Sequence, residues 1–210
     1  MTSPTLLCHS FAVAATPEQV ERTARALAAH AFTVEVLDDA QAARVRVGGL
    51  VPEGAAVYTA ASETLRLSGI EDDLNRSGRY VAVKPRVHSL DRTTQAAEIR
   101  RLTTTPDVVV GSVAAVTEDG TLVAASASGS QLPAYAGGAG QVILVVGAQK
   151  IVPDLAAALR RIETYALPLE DARARLAYGR SSAINKLLVV NAEPFPGRTT
   201  VLLLREAIGF

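Results

Sequence analysis

The run Pro106-Asp107-Val108-Val109-Val110-Gly111-Ser112-Val113-Ala114-Ala115-Val116-Thr117-Glu118-Asp119-Gly120-Thr121-Leu122-Val123-Ala124-Ala125-Ser126-Ala127-Ser128-Gly129 decides the fold class. Val108, Val109 and Val110 are β-branched without interruption, which marks a strand buried on both faces. Gly111 ends that strand and puts the Ser112 hydroxyl at its C-terminal end, where open parallel sheets bind ligands. Glu118-Asp119-Gly120 makes a tight acidic turn, with Gly120 free to take positive φ. Leu122 and Val123 open a second apolar run, which Ser126, Ser128, Gly129 and Ser130 close. Two readings stand side by side: a ligand site built from these hydroxyls, carboxylates and glycines, or a strand, turn and strand with ordinary surface chemistry.

Similar runs flank this stretch. Upstream, Phe32–Leu37, Ala55–Thr59 and Tyr80–Lys84 read as strands; downstream, Val142–Val146, Lys186–Asn191 and Thr199–Arg205 do. Helical segments fall between them. Thr16 caps the first, with Pro17 at its first position and Gln19 completing a capping box, and Val20, Ala24, Leu27, Ala28 and Ala31 keep helical spacing. Asp38-Asp39 caps a helix to Arg46, Ser62 caps the segment after Ala60-Ala61, and Ile70–Ser77 is a short helix. Ser89 caps a helix to about Arg101, Pro153 starts one through Ile162, and Pro168 starts another. Alternating strands and helices predict an α/β fold with a largely parallel sheet flanked by helices. Gly137-Gly138-Ala139-Gly140 precedes a strand instead of following one, so it is not a dinucleotide-binding turn.

Residues 145–155 read V-V-G-A-Q-K-I-V-P-D-L, 160–162 R-R-I, 167–174 L-P-L-E-D-A-R-A, 184–191 I-N-K-L-L-V-V-N, and 196–210 P-G-R-T-T-V-L-L-L-R-E-A-I-G-F. With the central run, these motifs resemble the lactate-utilisation (LUD) proteins, densely in the C-terminal half and loosely over residues 1–54. The resemblance implies one LUD-type domain over 1–210 with the NagB/RpiA/CoA-transferase-like fold. Many family members carry a glycine-rich turn where this chain has Ala60-Ala61-Ser62-Glu63, which places a binding role for that turn in question.

The resemblance also implies a function. Similar proteins serve a bacterial system that oxidises L-lactate to pyruvate beside iron–sulfur partner subunits. Cys8 is the only cysteine, so this chain cannot supply the thiolates of a cysteine-bound cluster, and the three histidines show no metal-ligand spacing. No cofactor is therefore expected in this chain, and the clusters are expected on its partners. The expected role is a non-redox subunit. The alternative is a stand-alone enzyme or binding protein for a small anion, a phosphosugar or a CoA ester. In related CoA transferases a glutamate in a short acidic turn is the nucleophile, and Glu118 looks similar.

Composition narrows the partners. Lysine and arginine together equal aspartate and glutamate, at 21 each, and the pI is about 6.8. No basic patch invites nucleic acid or an anionic membrane, and near-neutrality favours self-association into a homo-oligomer. The longest apolar runs fall far short of the roughly 20 residues that span a membrane, and Met1–Pro17 lacks the cationic start and apolar core of a secretion signal. A cytoplasmic protein is expected. The residues that would bind a small anion are Gly111, Ser112, Gly120, Ser128, Gly129, Ser130, Gly147, Lys150 and Arg198, with Glu118 catalytic and no metal. Lys150 lies between a strand's end and the helix at Pro153, as an anion ligand or as an exposed turn lysine. Arg198 could grip a carboxylate or phosphate, or fix its loop through backbone carbonyls.

Overall fold

Val108–Gly111 is buried along its whole length and forms one strand of a six-stranded parallel sheet. The computed structural model describes residues 9–210, the side chain of Tyr178 excepted; Cys8 lies outside the described residues. The sheet's strands are β1 (Thr33–Leu37), β2 (Ala56–Thr59), β3 (Val81–Ala82), β4 (Val108–Gly111), β7 (Gln141–Gly147) and β10 (Thr199–Leu204). They lie in the order β3-β2-β4-β7-β10-β1. A second sheet of four strands, β8 (Ile151–Val152), β5 (Ala115–Thr117), β6 (Leu122–Ser126) and β9 (Lys186–Val190), lies in that order and is mostly antiparallel.

Side chains alternate across a strand, and here the two sets pack in separate cores. Val108, Val110, Ile143, Val145, Leu202 and Leu204 meet α2 (Ala40–Leu50), α3 (Glu63–Leu67) and α4 (Ile70–Arg76) through Ala43, Val47, Leu65, Ile70 and Leu74. Val109, Val142, Leu144, Val146, Val201 and Leu203 meet the small sheet through Val116, Leu122 and Ala124, and α1 (Pro17–Ala29) through Val20 and Leu27. The outer face of the small sheet, Ala115 and Val123, packs on α7 (Leu155–Arg161) through Ala157 and Ala158. The large sheet is thus covered on both sides, which is why its strands read as continuous apolar runs.

Several expected boundaries move for local reasons. The strand expected over Tyr80–Lys84 is only Val81–Ala82, because α5 (Val83–Ser89) starts at once. Pro85 falls in the first turn of that helix, where a missing N–H costs nothing. Ser89 ends α5 and does not cap α6 (Ala96–Thr104). Asp91 instead closes a turn between them by accepting from the backbone of Thr93 and Thr94. Asp154, not Pro153, caps α7, its carboxylate 2.7 Å from Ala157 N. Pro168 opens no separate helix: α7 runs into α8 (Leu167–Tyr178) through a π turn at Ile162–Ala166, where Leu167 N–H donates five residues back to Ile162 O. No helix among the described residues is long and apolar enough to cross a membrane.

Candidate functional site at the sheet's switch point

The path of the chain through the large sheet places the site. From β2 it moves outward to β3, then returns past β2 to β4 and continues the other way through β7 to β10. Strand order therefore reverses between β2 and β4, and in open α/β sheets ligands bind in the crevice beyond the carboxyl ends of such a pair. Those ends are Ala60-Ala61-Ser62 and Gly111-Ser112.

Lys150 is the centre of what is gathered there. It ends a short 3-10 turn, Ala148–Lys150, that follows β7, and only 2% of it is exposed. Its Nζ lies 3.0 Å from Thr64 Oγ1, 3.0 Å from Ser112 Oγ and 3.1 Å from Val113 O. The hydroxyl protons have other acceptors: Ser112 Oγ donates to Val145 O at 2.6 Å, and Thr64 Oγ1 to Ile208 O at 3.3 Å. Both hydroxyls thus receive from Lys150, and three N–H groups meet three oxygens. Among the described residues no carboxylate pairs with this ammonium. Burial, reinforced by the Arg161 guanidinium nearby, pushes Lys150 down to about 7 from 10.5.

Arg161 is buried too, and among the described residues no carboxylate pairs with it either. Its Nε donates to Gln149 O at 3.2 Å and its Nη1 to Ala114 O at 2.5 Å, while Nη2 has no partner among the described residues. The guanidinium lies 5.1 Å from the centre of the Tyr165 ring. Two cations close together in sequence, on the turn after β7 and on α7, therefore bracket the β4–β5 junction. The chain's last residues seal this end of the sheet: Gln149 Nε2 donates to Ile208 O and Gly209 O, and Ile208 N–H donates back to Gln149 Oε1. Gly209 takes φ +71, and a Cβ there would lie 2.3 Å from Thr64 Oγ1, so the seal requires glycine.

Next to this cluster opens a cleft of about 300 Å³. Ala61, Ser62 and Glu63 form one wall, Glu71 and Lys84 another, and Arg66, Arg173 and the ion-paired Arg76 and Asp72 complete the lining. Lys84 Nζ meets Glu71 at 2.5 Å, and Arg66 meets Glu63 at 2.5 Å. The hydrogen bond from Arg66 holds the Glu63 carboxyl below its ordinary value. Ser62 caps α3 through Leu65 N, the role its sequence position suggests.

The structure brings Gly111, Ser112, Gly147 and Lys150 to this one end of the sheet and leaves the other expected site residues elsewhere. Lys150 is neither exposed nor at a helix start, because β8 and the Asp154 cap intervene before α7. Glu118 sits at the far end of β5 from Ser112, its carboxylate taken by Gln19 at 2.9 Å and by both Nε and Nη2 of Arg22. Gly120 packs on the backbone of α1 at Ala26 and Leu27. Ser128, Gly129 and Ser130 form a turn after β6; Gly129 N–H donates to Ser126 Oγ and Ser130 N–H to Ser128 Oγ. Ser130 bonds Tyr58, which neighbours Tyr135, whose hydroxyl in turn donates to Ser112 O at 3.2 Å, so that turn stands two side chains away from Ser112. Arg198 precedes β10 and so lies at the opposite end of the parallel strands. It donates to Ala134 O, Tyr135 O and Ala139 O and pairs with Glu193 at 2.7 Å, so it fixes a loop.

Thr64, Tyr135, Arg161 and the Ile208–Gly209 tail were not expected at a site. One of them carries a sequence signal: Ala157, Ala158, Arg161 and Ile162 form the buried stripe of one helix, and an arginine within such a stripe is anomalous.

The fold has a solved counterpart. A crystal structure of a DUF162 family protein from Deinococcus radiodurans superposes with a TM-score of 0.54 at 14% identity, covering 89% of this chain and 96% of that one. No curated protein sequence matches the chain. Residues 20–204 match the LUD domain, and the chain accordingly belongs to the LUD domain family, which is associated with lactate utilisation.

Proposed function

We propose that this chain is the non-redox, substrate-handling subunit of a system that oxidises L-lactate to pyruvate, with the electrons passing to iron–sulfur partner subunits. One observation carries the reading beyond family membership: a polar cleft lined by Lys84, Arg66, Arg76 and Arg173, interleaved with Glu63, Glu71 and Asp72, opens at the switch point of the sheet. Its volume of about 300 Å³ lies at the small end of the range for ligand pockets. A small 2-hydroxy acid offers a carboxylate for Lys84, in competition with Glu71, and a hydroxyl for Ser62. The single cysteine of the sequence, too few for a cluster of the cysteine-bound type, supports a role in which partners carry the clusters.

The test is calorimetric titration of L-lactate and of pyruvate into the purified chain and into Lys84→Ala. Saturable binding of either acid is expected, weakened about ten- to a hundred-fold in the variant, since a charge-assisted hydrogen bond contributes roughly 1.5–3 kcal/mol. The chain alone should not oxidise lactate with added electron acceptors, and mixing it with the iron–sulfur subunits should yield turnover. Absence of binding, or turnover by the partners undiminished when this chain is omitted, would overturn the proposal.

A further inference from the structure

We propose that Ser112 and Lys150 form a nucleophile–base pair for acyl transfer, a reactivity separate from lactate handling and independent of that reading. The pair has the geometry the chemistry requires. Ser112 follows β4 at the switch point and is half-buried, whereas Lys150 on the neighbouring strand's exit turn is buried 3.0 Å away. A base held by a third group completes the arrangement. Here Thr64, itself anchored on Ile208 O, is the third group that holds Nζ, at 3.0 Å.

The pair switches on when Lys150 loses a proton and exchanges hydrogen-bond roles with Ser112. As an ammonium, Lys150 donates to Thr64, Ser112 and Val113 O and cannot accept. After losing one proton it retains two donors and gains a lone pair. The Ser112 hydroxyl can then turn its hydrogen from Val145 O to that lone pair. The charged and titratable groups facing Lys150 are few. Arg161 on α7 disfavours the ammonium, as does burial, and Tyr135, whose phenol is pushed up by burial, stays a neutral donor to Ser112 O. Glu63, beside Thr64, is taken by Arg66.

The substrate class is a small ester or thioester. Ser112 Oγ attacks the carbonyl carbon while its proton passes to Lys150 Nζ. The bond to the alcohol or thiol breaks, and Lys150 returns the proton to the leaving group, which leaves an acyl ester on Ser112. Water, deprotonated by Lys150, then attacks that ester. The products are the carboxylic acid and the regenerated hydroxyl, so acyl compound plus water gives acid plus alcohol or thiol.

A fluorophosphonate probe followed by peptide mass spectrometry tests this on the full chain, with p-nitrophenyl acetate hydrolysis as the second readout. The expected result is a single adduct on Ser112, formed at a rate that rises with pH around a midpoint near 7. Lys150→Met should slow labelling at least a hundred-fold, and Ser112→Ala should abolish both the adduct and esterase activity. No adduct, an adduct on Ser126, Ser128 or Ser130 instead, or a folded Lys150→Met labelled as fast as the parent would each overturn the pair. If Lys150→Met does not fold, the parent's pH profile decides: a rate that is flat from pH 6 to 9 overturns it.

Discussion

Replacing Lys150 with methionine keeps an unbranched apolar stem and removes one proton-binding group from the interior. The level of stability at one pH is a poor measure of the result, because two effects oppose each other. The variant is relieved of a buried, unpaired charge, yet it leaves Thr64, Ser112 and Val113 O without a donor. The slope with pH isolates the charge. Lys150 falls from 10.5 in the unfolded chain to about 7 in the fold, so between those limits the unfolded state binds the extra proton. Stability must then rise with pH, by up to about 1.4 kcal/mol per unit. The burial penalty is complete below pH 7 and vanishes above 10.5. From pH 7 to 9 the parent should gain about 2 kcal/mol relative to Lys150→Met, since half a proton is already lost at the start. Urea unfolding of both proteins at pH 7, 8 and 9 measures this, and every other titrating group cancels in the difference. Parallel pH dependences would refute the claim that Lys150 titrates near neutrality in the fold.

Three further outcomes follow from the geometry. Arg198→Ala should destabilise by about 3–5 kcal/mol, because the buried Glu193 carboxylate loses its cationic partner and keeps only the Thr199 hydroxyl, while lactate affinity of the folded fraction, read by calorimetry, stays unchanged. Glu118→Gln should cost about 1 kcal/mol in urea unfolding at pH 7. Gln19 and Arg22 hold the Glu118 carboxyl below its ordinary value, so the contribution is present above the unfolded value and disappears as pH falls through the folded one, and the gap between parent and variant should close in acid. Gly111→Ala should fail to fold or lose more than about 3 kcal/mol, since its Cβ would sit 1.7 Å from Tyr135 Oη in a packed interior. Tyr135→Phe should restore part of that loss in the double variant, and an undisturbed melting curve for Gly111→Ala alone would contradict the packing described.

The α/β class was legible because burial on both faces writes itself into composition: Val108–Val110 and Val142–Val146 had no polar residue to place on a wet face. The small sheet was less so. Leu122–Ser126 and Lys186–Val190 both read as strands, but nothing local to either says that they pair antiparallel with each other and lie over the first sheet. The same blindness applies to short elements. Val83–Ser89 carries a proline, an arginine and a histidine over seven residues, and it is a helix only because Val83 and Val87, one turn apart, both reach the core.

The candidate site divides along the same line. Strand ends can be read from sequence, and the residues placed there on that basis, Gly111, Ser112, Gly147 and Lys150, do lie together. Glu118 and Arg198 also adjoin strands, but proximity to a strand does not say which end of the sheet a residue occupies. Glu118 leaves a strand of the small sheet and is claimed by α1, whereas Arg198 enters β10 at the opposite end of the strands and is used up on carbonyls. Whether Lys150 points into solvent or into the fold was beyond local pattern altogether, because its burial depends on Thr64, some 86 residues away, and on a tail whose Ile208 carbonyl anchors Thr64 from a distance of 144 residues. That dependence has a chemical consequence. A lysine made basic or neutral by residues so far apart in sequence is tuned only in the finished fold, so any reactivity it lends Ser112 reports on tertiary closure at the switch point, and loosening the Gly209 seal should return Lys150 toward an ordinary, permanently charged amine.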